Sequence, residues 1–91
     1  MTLIRYTKHA LERMALRGIS ISDVESALEI HPSYRDKSGA DIYIKKLNNY
    51  TLVVIAHRKG DIFRVITVYR ARRIDKLIKS KVNKGSWERL G

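Results

Sequence analysis

The hydrophobic period of this chain first changes at Pro32. Before that proline, apolar residues recur at helical spacing; after it, Ile, Val, Tyr and Thr run in short stretches divided by tight polar turns. A chain patterned as helices first and strands second is expected to fold as α+β. At 91 residues it holds one hydrophobic core rather than two, so residues 1–91 are expected to form a single domain.

Thr7 reads as an N-cap, His9 to Leu16 as two helical turns, and Gly18 as the left-handed residue that stops them. At 100° per residue Ala10, Leu11 and Met14 make the buried stripe, with His9, Arg13 and Arg17 in a basic row beside it. Ser22-Asp23-Val24-Glu25 has the spacing of a capping box and opens a second helix through Val24, Ala27 and Leu28, which Pro32 ends. Ser33 to Asp36 is a candidate short edge strand. Longer strands are expected from Asp41 to Leu47, Tyr50 to Arg58 and Ile62 to Arg70, joined at Asn48-Asn49 and around Lys59-Gly60-Asp61. The segment Arg72 to Val82 has Ile74, Leu77 and Ile78 on one side of a basic helix, and Gly85 to Gly91 reads as frayed apart from Trp87. The expected architecture is two N-terminal helices on one face of a three- to four-stranded antiparallel sheet, with a basic C-terminal helix or tail.

If both hairpin turns have two residues, Ile42, Ile44, Val53, Ile55, Ile66 and Val68 share an aliphatic face, which is expected to carry the helices. The opposite face collects Tyr43, Lys45, Leu52, Val54, Ala56, Arg58, Phe63, Val65, Thr67 and Tyr69. That mixture of aromatic, hydroxyl and cationic groups is where RNA is expected. A three-residue loop with a bulge at Gly60 exchanges the faces of the last strand.

Charge narrows the partners. Nineteen Lys and Arg against nine Asp and Glu give a formal net charge of +10, an excess that attracts polyanions and points to nucleic acid, RNA first. A charge-rich thermophilic surface normally balances its signs, and a lipid binder gathers its charge on one amphipathic helix. No apolar run approaches a membrane span and no apolar leader follows the N-terminus, so no membrane partner and a cytoplasmic location are expected. There is no cysteine, and His9, His31 and His57 lack ligand spacing, so no metal cofactor is expected.

Without a phosphate-cradling glycine loop or a nucleophile elbow, the chemistry open to these residues is acid–base cleavage of RNA, in which the 2′-hydroxyl attacks the adjacent phosphate. His9 and Arg13, one helical turn apart, suit a proton-transfer group and a phosphate stabiliser, although the same spacing fits a solvated basic face. Arg58 is the site-facing member of the His57-Arg58 pair. Tyr43, Tyr69 and Phe63 beside Lys45 and Arg58 offer stacking surfaces, or are simply strand-forming aromatics. Arg70, Arg72, Arg73, Lys76, Lys79, Lys81 and Lys84 form the densest cationic tract and suit phosphate contacts.

The string His9-Ala10-Leu11-Glu12-Arg13-Met14, continuing to Arg17-Gly18-Ile19-Ser20, is followed by Val24-Glu25-Ser26-Ala27-Leu28 and later by Val65-Ile66-Thr67-Val68-Tyr69-Arg70. Over roughly residues 6 to 70 this resembles the family defined by the DUF4258 domain, which itself looks like a distant relative of the RelE-type toxins. The resemblance implies helices packed on one face of an antiparallel sheet, metal-independent RNA cleavage and an inhibitory, acidic antitoxin partner. Position by position it points to His9, Arg13 and Arg17 in the helical block and to Thr67, Tyr69 and Arg70 in the strand block. Under the register above these two groups lie on opposite sides of the sheet. Either the helical row reaches round a sheet edge, or His9 is structural, or the faces are inverted.

Together these readings give His9, Arg13, Arg58 and Tyr69 as candidate catalytic residues, and Arg17, Tyr43, Lys45, Thr67, Arg70, Arg72, Arg73 and Lys76 as candidate RNA contacts. Three functions remain open: a toxin-type endoribonuclease, a non-catalytic RNA- or DNA-binding module, and a basic subunit neutralised by an acidic protein partner.

Overall fold

The structure, a computed structural model, describes residues 2–90. Its elements run β1 (Leu3–Tyr6), α1 (Lys8–Arg17), α2 (Ile21–Leu28), β2 (Tyr34–Asp36), β3 (Asp41–Lys46), β4 (Thr51–Lys59), β5 (Ile62–Ala71), α3 (Ile74–Asn83) and β6 (Trp87–Arg89). The strands form one six-stranded sheet in the order β1-β5-β4-β3-β2-β6. β1 pairs with β5 in parallel, and every other pairing is antiparallel.

The class is α+β, but the expected three- to four-stranded antiparallel sheet is corrected to a six-stranded mixed one. Two short strands account for much of the difference. β1 lies before the first helix, where Leu3-Ile4-Arg5-Tyr6 is too brief to show a period. β6 forms around Trp87 in the segment read as frayed, where it pairs with β2 and makes that strand interior. Gly91 lies outside the described residues.

Local chemistry sets the helix ends. Thr7 accepts a hydrogen bond from the Ala10 amide at 3.1 Å and donates one to the Ile66 carbonyl at 2.9 Å, so one hydroxyl starts α1 and ties it to β5. Gly18, at φ 65°, stops the helix in the left-handed region. α2 is capped by Ser20, whose hydroxyl accepts from the Asp23 amide at 3.0 Å, and not by Ser22. Ser20-Ile21-Ser22-Asp23 has the same spacing of a hydroxyl and an acid, and it also places buried Ile19 and Val24 on either side of the cap as a hydrophobic staple. Replacing Thr7 with Ala is expected to cost about 1–2 kcal/mol in stability, read as a lower denaturation midpoint in guanidinium with unchanged slope. Thr7→Ser, which keeps the hydroxyl, is expected to recover most of it.

Both faces of the sheet are covered. α1 and α2 pack Ala10, Met14, Val24, Ala27 and Leu28 against Tyr43, Leu52, Val54, Ala56, Phe63, Val65 and Val68. On the other side Ile74, Leu77 and Ile78 of α3 meet Ile42, Val53, Ile55, Tyr69 and Trp87. The assignment of faces is therefore corrected: the N-terminal helices cover the aromatic face, and the aliphatic face belongs to α3. The small side chains of α1 and α2 leave room for Tyr43 and Phe63, which meet edge to face with centroids 6.1 Å apart. The turn at Gly60-Asp61 does have two residues, since Lys59 pairs with Ile62. A bulge nevertheless occurs further along, where Ile55 opposes Thr67 and Ala56 opposes Val65, leaving Ile66 unpaired. It turns Thr67 and Tyr69 to the α3 side and Val68 and Arg70 to the α1 side.

Candidate nucleic-acid cleft

The β1–β5 pairing stops at Tyr6 and Val65, so β5 has no strand neighbour on that side beyond this point. Here the chain leaves the sheet: the Thr7 amide donates to the Val65 carbonyl at 3.0 Å and α1 departs across β5. With Ala10 and Met14 committed to the core, the i, i+4, i+8 row of α1 faces the open stretch of β5. Between them lies a cleft of about 390 Å³ lined by His9, Arg13, Arg17, Thr67, Val68, Tyr69 and Arg70. Among the described residues, no carboxylate lines it.

The geometry resolves the conflict between the two groups of candidate residues. The basic row meets the strand block at a sheet edge, and the bulge at Ile66 brings both faces of β5 to that edge. His9, Arg13 and Arg17 are exposed, whereas Tyr69 is half-buried beside α3. Burial pushes the Tyr69 hydroxyl up to about 12, so it keeps its proton at neutral pH and is a hydrogen-bond donor there. Arg70 donates to the Gly18 carbonyl at 3.4 Å and sets its guanidinium 4.4 Å from the centre of the Tyr50 ring. That second contact is a diagonal cross-strand one, since Arg70 pairs with Leu52 and Tyr50 lies two residues along on the same face.

Other candidates lie elsewhere. Arg58 donates to the Gly60 carbonyl at 3.0 Å, lies over the Phe63 ring at 5.1 Å and lines a different cleft with Glu25 and Glu29. Tyr43 is 1 % exposed and Phe63 is buried, so neither offers a stacking surface. Lys45 is half-buried on the face of Tyr43. Arg72, Arg73 and Lys76 are exposed at the β5–α3 junction and on α3. Tyr50, the residue that backs Arg70, was legible only as the start of a strand; the register that joins it to Arg70 requires the length of the second hairpin and the position of its bulge.

Fold and cleft define a small basic α+β protein that holds a histidine–arginine row against an open strand edge. The chain belongs to the DUF4258 family, a domain of unknown function matched over residues 6–70. The matched span contains every residue that lines the cleft and ends before α3 and β6. No curated protein and no solved structure matches the chain. Among the described residues, no helix is long and apolar enough to cross a membrane.

Proposed function

We propose that this protein is a toxin-type endoribonuclease that cuts RNA through the substrate's own 2′-hydroxyl, without a metal ion, and that an acidic antitoxin is its protein partner. The observation that carries the proposal is the cleft itself: His9, Arg13, Arg17 and Arg70 line one opening with Thr67 and Tyr69, and among the described residues no carboxylate lines it. A phosphodiester is the substrate such a set fits, since positive charge gathers where a pentavalent phosphate becomes more negative.

In this reading His9 takes the 2′-hydroxyl proton as the 2′ oxygen bonds to phosphorus and the bond to the 5′ oxygen breaks, and histidine is the side chain best suited to that transfer near neutral pH. Arg13 and Arg17 hold the non-bridging oxygens. Tyr69, with its hydroxyl at about 12, gives its proton only to a stronger base, and the departing 5′ alkoxide is one. Arg70 is held by Gly18 and Tyr50, which fixes the end of the cleft. Arg72, Arg73 and Lys76 contribute long-range attraction to the chain of phosphates.

The test is the chemistry of the ends. A long RNA incubated with the purified protein, with and without ribosomes, is expected to yield 2′,3′-cyclic phosphate and 5′-hydroxyl termini at a rate indifferent to EDTA. A 2′-deoxy substitution at the cut position is expected to leave binding and abolish cutting. Tight binding with RNA left intact under both conditions would assign the cleft to a non-catalytic binding module.

A further inference from the structure

A second opening of about 320 Å³ adjoins the first and is lined by Asp23, Lys46, Leu47, Asn48, Asn49 and Tyr50. The two are separated by one stacked pair, because Arg70 lines the first cleft and lies over the ring of Tyr50, which lines the second. Three elements build the second opening: the first turn of α2, the end of β3 with its tight turn, and the residue before β4. It combines an aromatic side chain, two carboxamides, a carboxylate and a lysine. Of these groups only Tyr50 also serves the proposed cleavage, by backing Arg70.

We infer that this opening is a nucleobase pocket selective for unpaired guanine. Single-stranded RNA is read by aromatic or guanidinium surfaces that hold a splayed base and by hydrogen bonds to its edge. The carboxylate decides which base. It is an acceptor only, with room for several donors, and among the described residues the one hydrogen-bond partner of the Asp23 side chain is the Tyr50 hydroxyl at the long distance of 3.4 Å. The Watson–Crick edge of guanine presents two adjacent N–H donors and can satisfy both carboxylate oxygens together. Adenine and cytosine each place a ring acceptor beside their single amino group, and uracil flanks its one N–H with two carbonyls, so each sets lone pairs against the carboxylate. Asn48 and Asn49 offer donors for the O6 and N7 acceptors of guanine, and Lys46 stands ready for the adjoining phosphate. The inference rests on the ribonuclease reading only in assigning the base to a nucleotide neighbouring the cut.

The experiment is a titration of the full, isotope-labelled chain with GMP, AMP, CMP and UMP, followed by the amide signals of Asp23, Asn48, Asn49 and Tyr50. All four ligands carry the same phosphate, so any difference between them comes from the base. GMP is expected to move those signals with an affinity at least about fivefold above that for AMP, the lower end of what a bidentate contact adds to base discrimination. Asp23→Asn is expected to erase the preference. It retains the fold, because the helix cap uses the Asp23 amide and not its carboxylate. Equal response to the four nucleotides, GMP shifts confined to the His9 cleft, or an undiminished preference in Asp23→Asn would each overturn the inference. A protein that prefers GMP and leaves RNA uncut would retain the pocket and lose the ribonuclease proposal; one that cuts RNA but binds all four alike would do the reverse.

Discussion

His9→Ala is expected to lower the rate of RNA cleavage by about 10²–10⁴, the usual cost of losing a general acid or base. Tyr69→Phe, which keeps the ring in its packing against α3 and removes only the hydroxyl, is expected to fall in the same range, because it removes the group assigned to protonate the departing 5′ oxygen. Arg13→Ala removes charge stabilisation and is expected to reduce cleavage about 10²–10³-fold. The informative control is Arg58→Ala. Its guanidinium lies against Phe63 in the cleft of Glu25 and Glu29, so the rate should stay within threefold or so of the parent. Single-turnover rates at saturating RNA, with folding checked in parallel, separate chemistry from binding. If Arg58→Ala matches His9→Ala, or if none of the first three variants loses even tenfold, the cleft at the β5 edge is not where cutting occurs.

What the sequence disclosed about this site, and what it concealed, follows from the range of each signal. The row His9, Arg13, Arg17 and the ends of α1 are local facts, set by a 3.6-residue period, a threonine cap and a left-handed glycine, and they are readable without a fold. The strand spans from Asp41 to Ala71 are readable for the same reason. The meeting of that row with Thr67, Tyr69 and Arg70 is not local. It depends on β1, a four-residue strand whose parallel pairing ends at Val65, and on a bulge at Ile66 that no turn residue announces. The faces were invertible because both are apolar. Leu52-Val53-Val54-Ile55-Ala56 is a continuous run, the pattern of a strand covered on both sides, and the Ile74, Leu77 and Ile78 stripe supplies the second cover. A strictly alternating strand would have fixed the register by itself.

That inversion gives the second large effect. Tyr43 was a candidate stacking platform for RNA, and the structure instead seals it under α1 and α2 with 1 % of its surface exposed, edge-on to Phe63. Its hydroxyl is raised above the ordinary tyrosine range, first by burial and then by Asp41, as befits a phenol inside a core. Tyr43→Ala is therefore expected to cost about 3–5 kcal/mol, as loss of a buried aromatic does. A domain of this size has about 5–15 kcal/mol in total, so the variant is expected to unfold at far lower guanidinium concentration, if it is folded at all. Tyr43→Phe keeps the ring and is expected to lose no more than about 1–2 kcal/mol while binding single-stranded RNA with the affinity of the parent. The pair of variants separates packing from recognition. A surface platform would lose RNA affinity in Tyr43→Ala with its denaturation midpoint unmoved, and that outcome would return RNA to the sheet face now assigned to the N-terminal helices.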